Sequence, residues 1–429
     1  MKRRQFIKRS IAMGAALSTS HARVYAAPED YTGRFFVTLQ ADGAWDVSSF
    51  CDPKTNQNGE PEINTWSRTQ GIQTAGNINY APFGNNAAFF QKYYADTLVI
   101  NGIDAQTNSH STGVLHNWSG RNSAGYPSLT ALYAAINAPD LPLSYVNFGG
   151  YAETSRLIRY TRLNDINSLI GVLTPNTLAW DRDSNYRDPD MLSLVMQRQQ
   201  ERLTRMRQRS DVLPRKQYTM DAYYQARASA SGLEDFATVI PDSNSLEGRV
   251  QVSNDVNSSL RQQIQILMLA FSSGVACSGD LVLSGFDTHA DHDAMHSPLL
   301  AHMTDSIDYF WTYAEAQGIA DRITLLVASD FSRTPNYNSS NGKDHWPIGS
   351  ALLMEMGASW GNRVVGATDG GQNALQINPT SLAVESSQSS TIIYPKHLHK
   401  ALRNYLGIDT SAIVDPFPFN NTEDIAFFS

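Results

Sequence analysis

Short apolar runs alternate with helical segments along most of the chain, and this alternation constrains the fold more than any other feature. The runs RFFVTLQ, TLVINGID, LPLSYVNFGG, DLVLS and ITLLVASD have the composition of buried strands. Segments with helical spacing, such as NAAFFQKYYAD and PLLAHMTDSIDYFWTYAEAQG, lie between them. Strands that are covered on both faces and joined by helices form parallel sheets. The sequence therefore predicts an α/β fold with a mostly parallel central sheet flanked by helices.

The alternation is interrupted between residues 188 and 274, where long helical stretches follow one another. DMLSLVMQRQQERLTRMRQRS and SSLRQQIQILMLAFSSG are examples. They predict an all-helical layer or cap inserted into a single domain that covers residues 27–429. The run rich in Arg and Gln in the first stretch is typical of a solvated helix face, with an anionic partner as the alternative.

Residues 1–26 predict an export signal. They combine a basic start, a short apolar stretch at residues 11–17 and the small-residue cleavage site VYA before Ala27. Arg3 and Arg4 resemble the paired arginines that the twin-arginine translocase recognises. The apolar stretch is shorter than the roughly 20 residues that span a bilayer. We therefore expect a periplasmic protein whose mature chain has no membrane span.

Charge and cysteine content narrow the function further. The net charge is −8, and the densest groups of basic residues lie in the signal and in one helical segment, so a nucleic acid partner is not expected. Cys51 and Cys277 are the two cysteines, and both lie near ends of predicted strands. An oxidising compartment is compatible with a disulfide between them, and the sequence leaves this alternative open. The chain has no P-loop or GxGxxG motif, which argues against nucleotide triphosphatases and dinucleotide enzymes.

Acidic, imidazole and hydroxyl side chains follow the carboxyl ends of predicted strands, the edge at which α/β sheets bind ligands. They are Asp42 and Asp46; Ser109, His110, Ser111 and Thr112; Asp287, His289, Asp291 and His292 in GFDTHADHDAMH; Asp330; and Asp344 with His345. Each group alone is typical of a turn or a helix cap. Together they predict a two-metal hydrolytic site, because carboxylates and imidazoles bind divalent ions and a metal-bound hydroxyl is a stronger nucleophile.

The ordered pieces GAWD, GFDTH, SDFSRTP and GKDHW resemble the bacterial family called domain of unknown function 1501, in the alkaline phosphatase and sulfatase-like superfamily. The similarity covers nearly the whole mature chain. It implies an alkaline phosphatase-like fold, divalent metal cofactors (zinc, manganese or calcium) and a small anionic ester as substrate. Sulfatase activity is not expected, because the signature that yields formylglycine is absent: DPK follows Cys51, in the wrong loop.

The superfamily's metal pattern, transferred to matching positions, implies two ions. One would be bound by Asp287, His345 and a His just after the Asp, either His289 or, less favoured, His292; the other would be bound by Asp46 and Asp330. Phe331 stands where many members have a further His, so the second ion has one ligand fewer.

The resemblance also implies catalytic groups and two candidate functions. The nucleophile would be Ser109 or Thr112, with a slight preference for Ser109, and Arg333 would bind an anionic oxygen by paired hydrogen bonds. The leading hypothesis is an exported metal-dependent hydrolase of a phosphate or related ester. The alternative, which Phe331 favours, is an exported binding or assembly protein that keeps the fold and uses the helical cap as its interaction surface.

Overall fold

The computed structural model describes residues 31–429 except 164–168, 170, 172, 179–180, 210, 214, 217–218, 221–229 and 242–244. The signal expected at residues 1–26 lies outside the described residues. Among the described helices, none is both long and apolar enough to cross a membrane.

An eight-stranded sheet forms the centre of the fold. Its strands are β1 (Phe35–Asp42), β2 (Thr97–Asp104), β3 (Tyr145–Asn147), β4 (Tyr160–Arg162), β5 (Ser278–Ser284), β6 (Ile323–Ser329), β7 (Ile348–Met354) and β8 (Arg363–Val365). Their spatial order is β8-β2-β7-β6-β1-β5-β3-β4. β7 is antiparallel to both neighbours, and the remaining pairs are parallel. The predicted α/β class with a mostly parallel sheet is confirmed.

Helices cover both faces of this sheet. The described α-helices are α1 (Asn86–Tyr93), α2 (His110–Ser119), α3 (Leu129–Asn137), α4 (Pro189–Arg207), α5 (Ala230–Val239), α6 (Leu260–Ser272), α7 (His292–Gln317) and α8 (Pro395–Tyr405). Along β1, Val37 and Leu39 belong to an apolar cluster shared with α1, α6 and α7. Phe36 belongs to a second cluster, shared with α3 and α8. Successive side chains of a strand point to opposite faces, so the two clusters are the two layers of the core.

Short elements complete the described structure. Two-stranded ribbons pair Gln73–Ala75 with Ile78–Tyr80, Thr177–Leu178 with Asp181–Asn185, Val250–Gln251 with Asn257–Ser258, and Ser332–Arg333 with His345–Trp346. The 3₁₀ turns are Val47–Ser49, Thr65–Arg68, Tyr94–Asp96 and Ala320–Arg322. The last ribbon positions the site, because it joins the segment after β6 to the segment before β7.

The helical segment predicted between residues 188 and 274 has two different environments. α6 is buried and packs against β5 and α7. Its Leu267 is fully buried above Gly279 of β5, where an added Cβ would lie 2.4 Å from a methyl carbon of Leu267. α4 is mostly exposed, with Leu194 54% accessible. α6 is therefore part of the helical cover of the sheet.

The two cysteines are free thiols. Cys51 follows β1 and Cys277 precedes β5, and since β1 and β5 are parallel neighbours, the two thiols lie toward opposite ends of the sheet. Burial raises the pKa of both thiols, to about 12 for Cys277. Of the alternatives that the sequence left open, the structure shows the unbridged pair.

We expect Leu267→Ala to lower the free energy of unfolding of the mature protein by about 2–5 kcal/mol, because it leaves a cavity between α6 and β5. Leu194→Ala is the matched control on α4, and its exposed position predicts a change within about 0.5 kcal/mol. Urea unfolding measures both values. Equal destabilisation by the two substitutions would contradict the assignment of α6 to the core.

Candidate metal centre

Four side chains with metal-binding donor atoms meet at the carboxyl edge of the sheet; we call them the donor cluster. They are His110 at the start of α2, Asp287 and His289 after β5, and His345 before β7. Three of the donor atoms form a triangle: His345 Nε2 lies 3.0 Å from His110 Nε2 and 3.3 Å from Asp287 Oδ1. The third edge, from His110 Nε2 to Asp287 Oδ1, is 3.4 Å. His289 Nε2 stands beside the triangle, 3.0 Å from both Asp287 Oδ1 and His345 Nε2.

These separations match those of ligands around one divalent ion. Bonds of about 2.0–2.1 Å in tetrahedral geometry place neighbouring ligand atoms roughly 3.3 Å apart. His110, Asp287 and His345 meet this condition along every edge of their triangle. Three protein ligands leave a fourth position, for which His289 or a molecule from solvent is available.

The other ring nitrogen of each imidazole donates a hydrogen bond to its own acceptor. The pairs are His110 with the Asp330 carboxylate, His289 with Asp344 Oδ1 at 2.8 Å, and His345 with the Asn108 carbonyl at 2.8 Å. A proton held on Nδ1 leaves the lone pair of Nε2 free to face the other donors. Such an outer acceptor is the usual partner of a metal-binding histidine, because it fixes both tautomer and ring orientation.

Asp330 is itself held firmly under His110. It is fully buried and accepts hydrogen bonds from Ala44 N at 2.6 Å and from Ser329 Oγ at 2.8 Å. Its hydrogen bond to His110 raises the pKa of that imidazole. Asp330 therefore orients the imidazole of His110. The sequence had predicted that Asp330 and Asp46 would bind a second ion together, and the structure does not bring these two carboxylates together in that way.

Arg333 binds the carboxylate of the cluster from inside the protein. Its Nη2 donates to Asp287 Oδ1 at 2.5 Å, and its Nε donates to the Ala44 carbonyl at 2.8 Å. Burial raises the pKa of Asp287, but the hydrogen bond and charge of Arg333 outweigh burial and hold it at about 2. Arg333 is fully buried. The structure shows its guanidinium donating to partners within the fold, as a buried cation requires, and the contact with a substrate oxygen stays a prediction.

Asp46 lies away from the donor cluster in a buried ion pair. Its Oδ2 accepts a hydrogen bond from Lys343 Nζ at 2.8 Å and lies 3.1 Å from His292 Nε2. Burial raises the pKa of Asp46, but Lys343 and His292 outweigh burial and hold it well below the usual value. Because Lys343 already neutralises this carboxylate, the expected pair of Asp46 and Asp330 around a second ion is not assembled.

Side chains of the stretch GFDTHADHDAMH lie in three environments: the donor cluster, the buried surroundings of Asp46 and the exposed start of α7. Asp287 and His289 reach the donor cluster, whereas His292 and His296 are fully buried beside Asp46. Asp291 is exposed, with a φ of 44° where α7 begins. Of the two alternatives after Asp287, the structure thus places His289 in the cluster.

The candidate nucleophiles lie next to the cluster. Ser109 immediately precedes His110, occupies the position before the first turn of α2 and is exposed, with its Oγ 3.2 Å from Ser111 Oγ. Thr112 is half-buried within that first turn. Both sit where the unpaired N–H groups of α2 begin.

His110 is the donor that sequence reasoning did not assign. It stands in the Ser/His/Thr group after the second strand, so its position was noted, yet its role depends on Asp330, which is 220 residues away. Phe331 supports this imidazole: it is buried, with its ring centroid 4.8 Å from that of His110 and 5.0 Å from that of His345. At the position where many superfamily members have a further His, an apolar ring therefore packs against two imidazoles of the donor cluster.

Gly342 lies where the loop that carries His345 is in backbone contact with the loop that carries His289. A Cβ at this position would lie 1.8 Å from the carbonyl oxygen of His289 and 2.5 Å from Ala290 N. Asn338 Nδ2 donates to the same carbonyl oxygen at 3.0 Å. Only glycine allows this approach, since every other residue would separate the segment of His289 from the segment of His345.

We expect Gly342→Ala to lower the free energy of unfolding by about 1–3 kcal/mol, because the backbone must move to accommodate the methyl group. Gly370→Ala is the control, since an added Cβ there meets no atom within 4 Å. Chemical unfolding of the two variants provides the measurement. A Gly342 variant as stable as the Gly370 variant would refute the close approach.

The model of a family described as "Protein of unknown function (DUF1501)" matches residues 168–417, more than half of the chain. No curated protein matches the sequence.

Solved structures align over most of the chain with low similarity. The lipoteichoic acid synthase LtaP from Listeria monocytogenes has 11% identity, coverage of 94% of this chain and 78% of the other, and a TM-score of 0.37. For the alkaline phosphatase from the Antarctic bacterium TAB5 these values are 11%, 78%, 95% and 0.33. For the sulfatase PsFucS1 from Pseudoalteromonas sp. they are 11%, 97%, 74% and 0.36.

Proposed function

The chain belongs to the DUF1501 family, and we propose that it is a metal-dependent hydrolase that binds one divalent ion at the donor cluster and cleaves a phosphate or related ester. The proposed substrate class rests on the resemblance of the sequence motifs to the alkaline phosphatase and sulfatase-like superfamily. The geometry of the donor cluster supports metal binding, and the exposure of its side chains supports access from solvent.

One observation carries the proposal: Nε2 lone pairs face each other across short distances. Because each Nδ1 donates a hydrogen bond, the neutral imidazoles set Nε2 of His345 against Nε2 of His110 and of His289 at 3.0 Å as acceptor against acceptor. The ionised carboxylate of Asp287 adds a negative charge to the same space. A proton can lie between only one pair of these atoms, whereas a divalent cation satisfies all of them.

The donor set favours zinc over calcium. Three imidazole nitrogens and one carboxylate oxygen suit zinc, whereas calcium takes oxygen ligands. Manganese remains the alternative, because it accepts both imidazole and carboxylate ligands. The side chains of Asp287 and His289 are 49% and 46% exposed. This exposure leaves room for a substrate oxygen as a further ligand, since zinc in catalytic sites can expand to five-coordinate.

A single ion is proposed in place of two. Asp46, the carboxylate expected to bind a second ion, already has the ammonium of Lys343 at 2.8 Å in a fully buried environment. Asp330 is committed to His110. Neither carboxylate is free to bind another cation.

A bound zinc ion would supply Lewis acidity that polarises an ester oxygen and lowers the pKa of an adjacent hydroxyl. Ser109 is the preferred nucleophile because it is exposed and adjoins His110, with Thr112 as the alternative. The N-terminal N–H groups of α2 are suited to bind an anionic ester oxygen beside the cluster.

The proposed location is the periplasm, with the twin-arginine translocase as the partner during export. This part of the proposal rests on Arg3 and Arg4 and on the cleavage site before Ala27.

We expect the purified mature protein to bind one zinc ion per chain. His110→Ala and His289→Ala should each weaken zinc binding at least about 10-fold, since even partners of metal ligands cost 10–100-fold when lost. Asp291→Asn is the control from the same acidic stretch, exposed and outside the cluster, and should bind like the wild type. Calorimetric titration and elemental analysis measure affinity and stoichiometry. Two ions per chain, or unchanged binding by both His variants, would overturn the site.

We expect zinc-loaded protein to hydrolyse at least one ester in a panel of phosphate monoesters, phosphate diesters, phosphonates and sugar-linked esters. Chelation should abolish turnover and added zinc should restore it. Ser109→Ala should lower kcat by roughly 10³-fold or more if Ser109 is the nucleophile, and Thr112→Val should then retain activity. The reverse pattern would assign the nucleophile to Thr112.

A second candidate function has its own support in Phe331. This buried ring occupies the place of a further ligand, as expected for a protein that keeps the fold for binding or assembly. Stable zinc binding without hydrolysis of any ester in the panel would favour that function over the enzyme.

A further inference from the structure

Buried polar side chains join the end of β1 to the loops that bear the donor cluster. At their centre, Lys343 Nζ donates hydrogen bonds to Asp46 Oδ2 at 2.8 Å, Asn64 Oδ1 at 2.9 Å and Ser48 Oγ at 3.1 Å. All four side chains are fully buried. The ammonium therefore has three oxygen acceptors, one of them a carboxylate, and no contact with solvent.

Segments 287–289 and 343–345, which carry donor-cluster residues, are both connected to this ion pair by hydrogen bonds. Lys343 lies two residues before His345, and its backbone N–H donates to the Thr288 carbonyl at 3.1 Å. Thr288 immediately precedes His289, and its Oγ1 lies 2.7 Å from His292 Nδ1. The opposite nitrogen of His292 lies 3.1 Å from Asp46 Oδ2. The carboxylate of Asp46 is thus the point where the connections from the two segments meet.

Such a pair is costly as a source of stability alone. Desolvating two charges offsets much of their attraction, and apolar side chains of similar volume often stabilise a fold equally well. A buried pair does impose one specific geometry, because moving either segment would leave a charge unpaired. In the metal-free protein the facing Nε2 lone pairs of neutral imidazoles repel one another, so contacts outside the donor cluster hold the two loops together.

We infer that Asp46 and Lys343 are positioning residues that hold segments 287–289 and 343–345 in the metal-binding arrangement before the ion arrives. This inference rests on the proposed function. Asp46 would then affect metal binding by positioning the two segments, without contact to the ion. Preorganised ligands bind more tightly because their loops lose less conformational freedom on binding.

The test uses Asp46→Asn, Lys343→Met and the double variant in the mature protein. Asp280→Asn is the matched control: Asp280 is buried in β5, where it accepts hydrogen bonds from Thr38 Oγ1 at 2.7 Å and Asn147 Nδ2 at 2.9 Å. Calorimetry measures zinc affinity, urea unfolding measures stability, and hydrogen exchange of the metal-free proteins reports on the two segments.

Each single variant should bind zinc at least about 10-fold more weakly, an effect expected of groups that orient ligands. Each should also exchange faster in residues 286–291 and 338–346. The double variant, which has no unpaired charge, should be more stable than either single variant and still bind zinc weakly. Asp280→Asn should lose stability while keeping zinc affinity and exchange in those segments.

Wild-type zinc affinity in the double variant would overturn the positioning role, and that variant decides the matter if the single variants fail to fold. An equal loss of affinity in Asp280→Asn would also overturn it, because the effect would then follow stability alone. A wild-type protein that binds no zinc refutes the proposed function separately. In that case faster exchange in the metal-free variants supports the positioning role, and unchanged exchange refutes it.

Discussion

Parallel pairing of β1 with β5 on one side and β6 on the other is the constraint on which the site depends. The three strands run in register, with Leu39 opposite Leu281 and Val327. Parallel strands end at a common edge, so segments that are hundreds of residues apart in sequence leave the sheet side by side. His289, Asp330 and the backbone carbonyls that hold Arg333 all owe their proximity to this arrangement. The loops then need only short excursions to bring their side chains together.

The exposed donor cluster and the buried ion pair of Asp46 and Lys343 are two separate polar groups. The donor cluster faces outward with Arg333 bound to its Asp287, whereas Asp46 and Lys343 neutralise each other in the interior. Arg333 connects the two levels through Asp287 and the Lys343 carbonyl. The buried charges of Asp46 and Lys343 are therefore already paired inside the fold and do not compete for an incoming ion.

The sequence predicted the strands and the proximity of Asp287 to His289, because both depend on local pattern. Runs such as FFVTLQAD are buried along nearly their whole length, and such runs mark strands covered on both faces. Asp287 and His289 follow β5 two residues apart, so alternation directed them to a common side. His345 arrives from the loop before β7, and the motif resemblance had grouped it with them.

Tertiary charge pairing explains what the sequence could not show. Asp46 and Lys343 are 297 residues apart, and no local pattern reveals that an ammonium occupies the space beside that carboxylate. The same holds for the guanidinium of Arg333, whose burial follows from its contacts with Gly43 and Ala44 carbonyls. His110 lies between Ser109 and Ser111, and the sequence pattern indicated this group only as a source of the nucleophile.

The antiparallel direction of β7 has a consequence for how this architecture can vary. Because β6 ends and β7 begins at the same edge, the connection of residues 330–347 leaves and re-enters the sheet beside the donors. It needs no crossover helix, unlike the connection between two parallel strands. Relatives could therefore lengthen, shorten or exchange this single hairpin-like excursion, reshaping the mouth of the site while the strand order and both core layers stay intact.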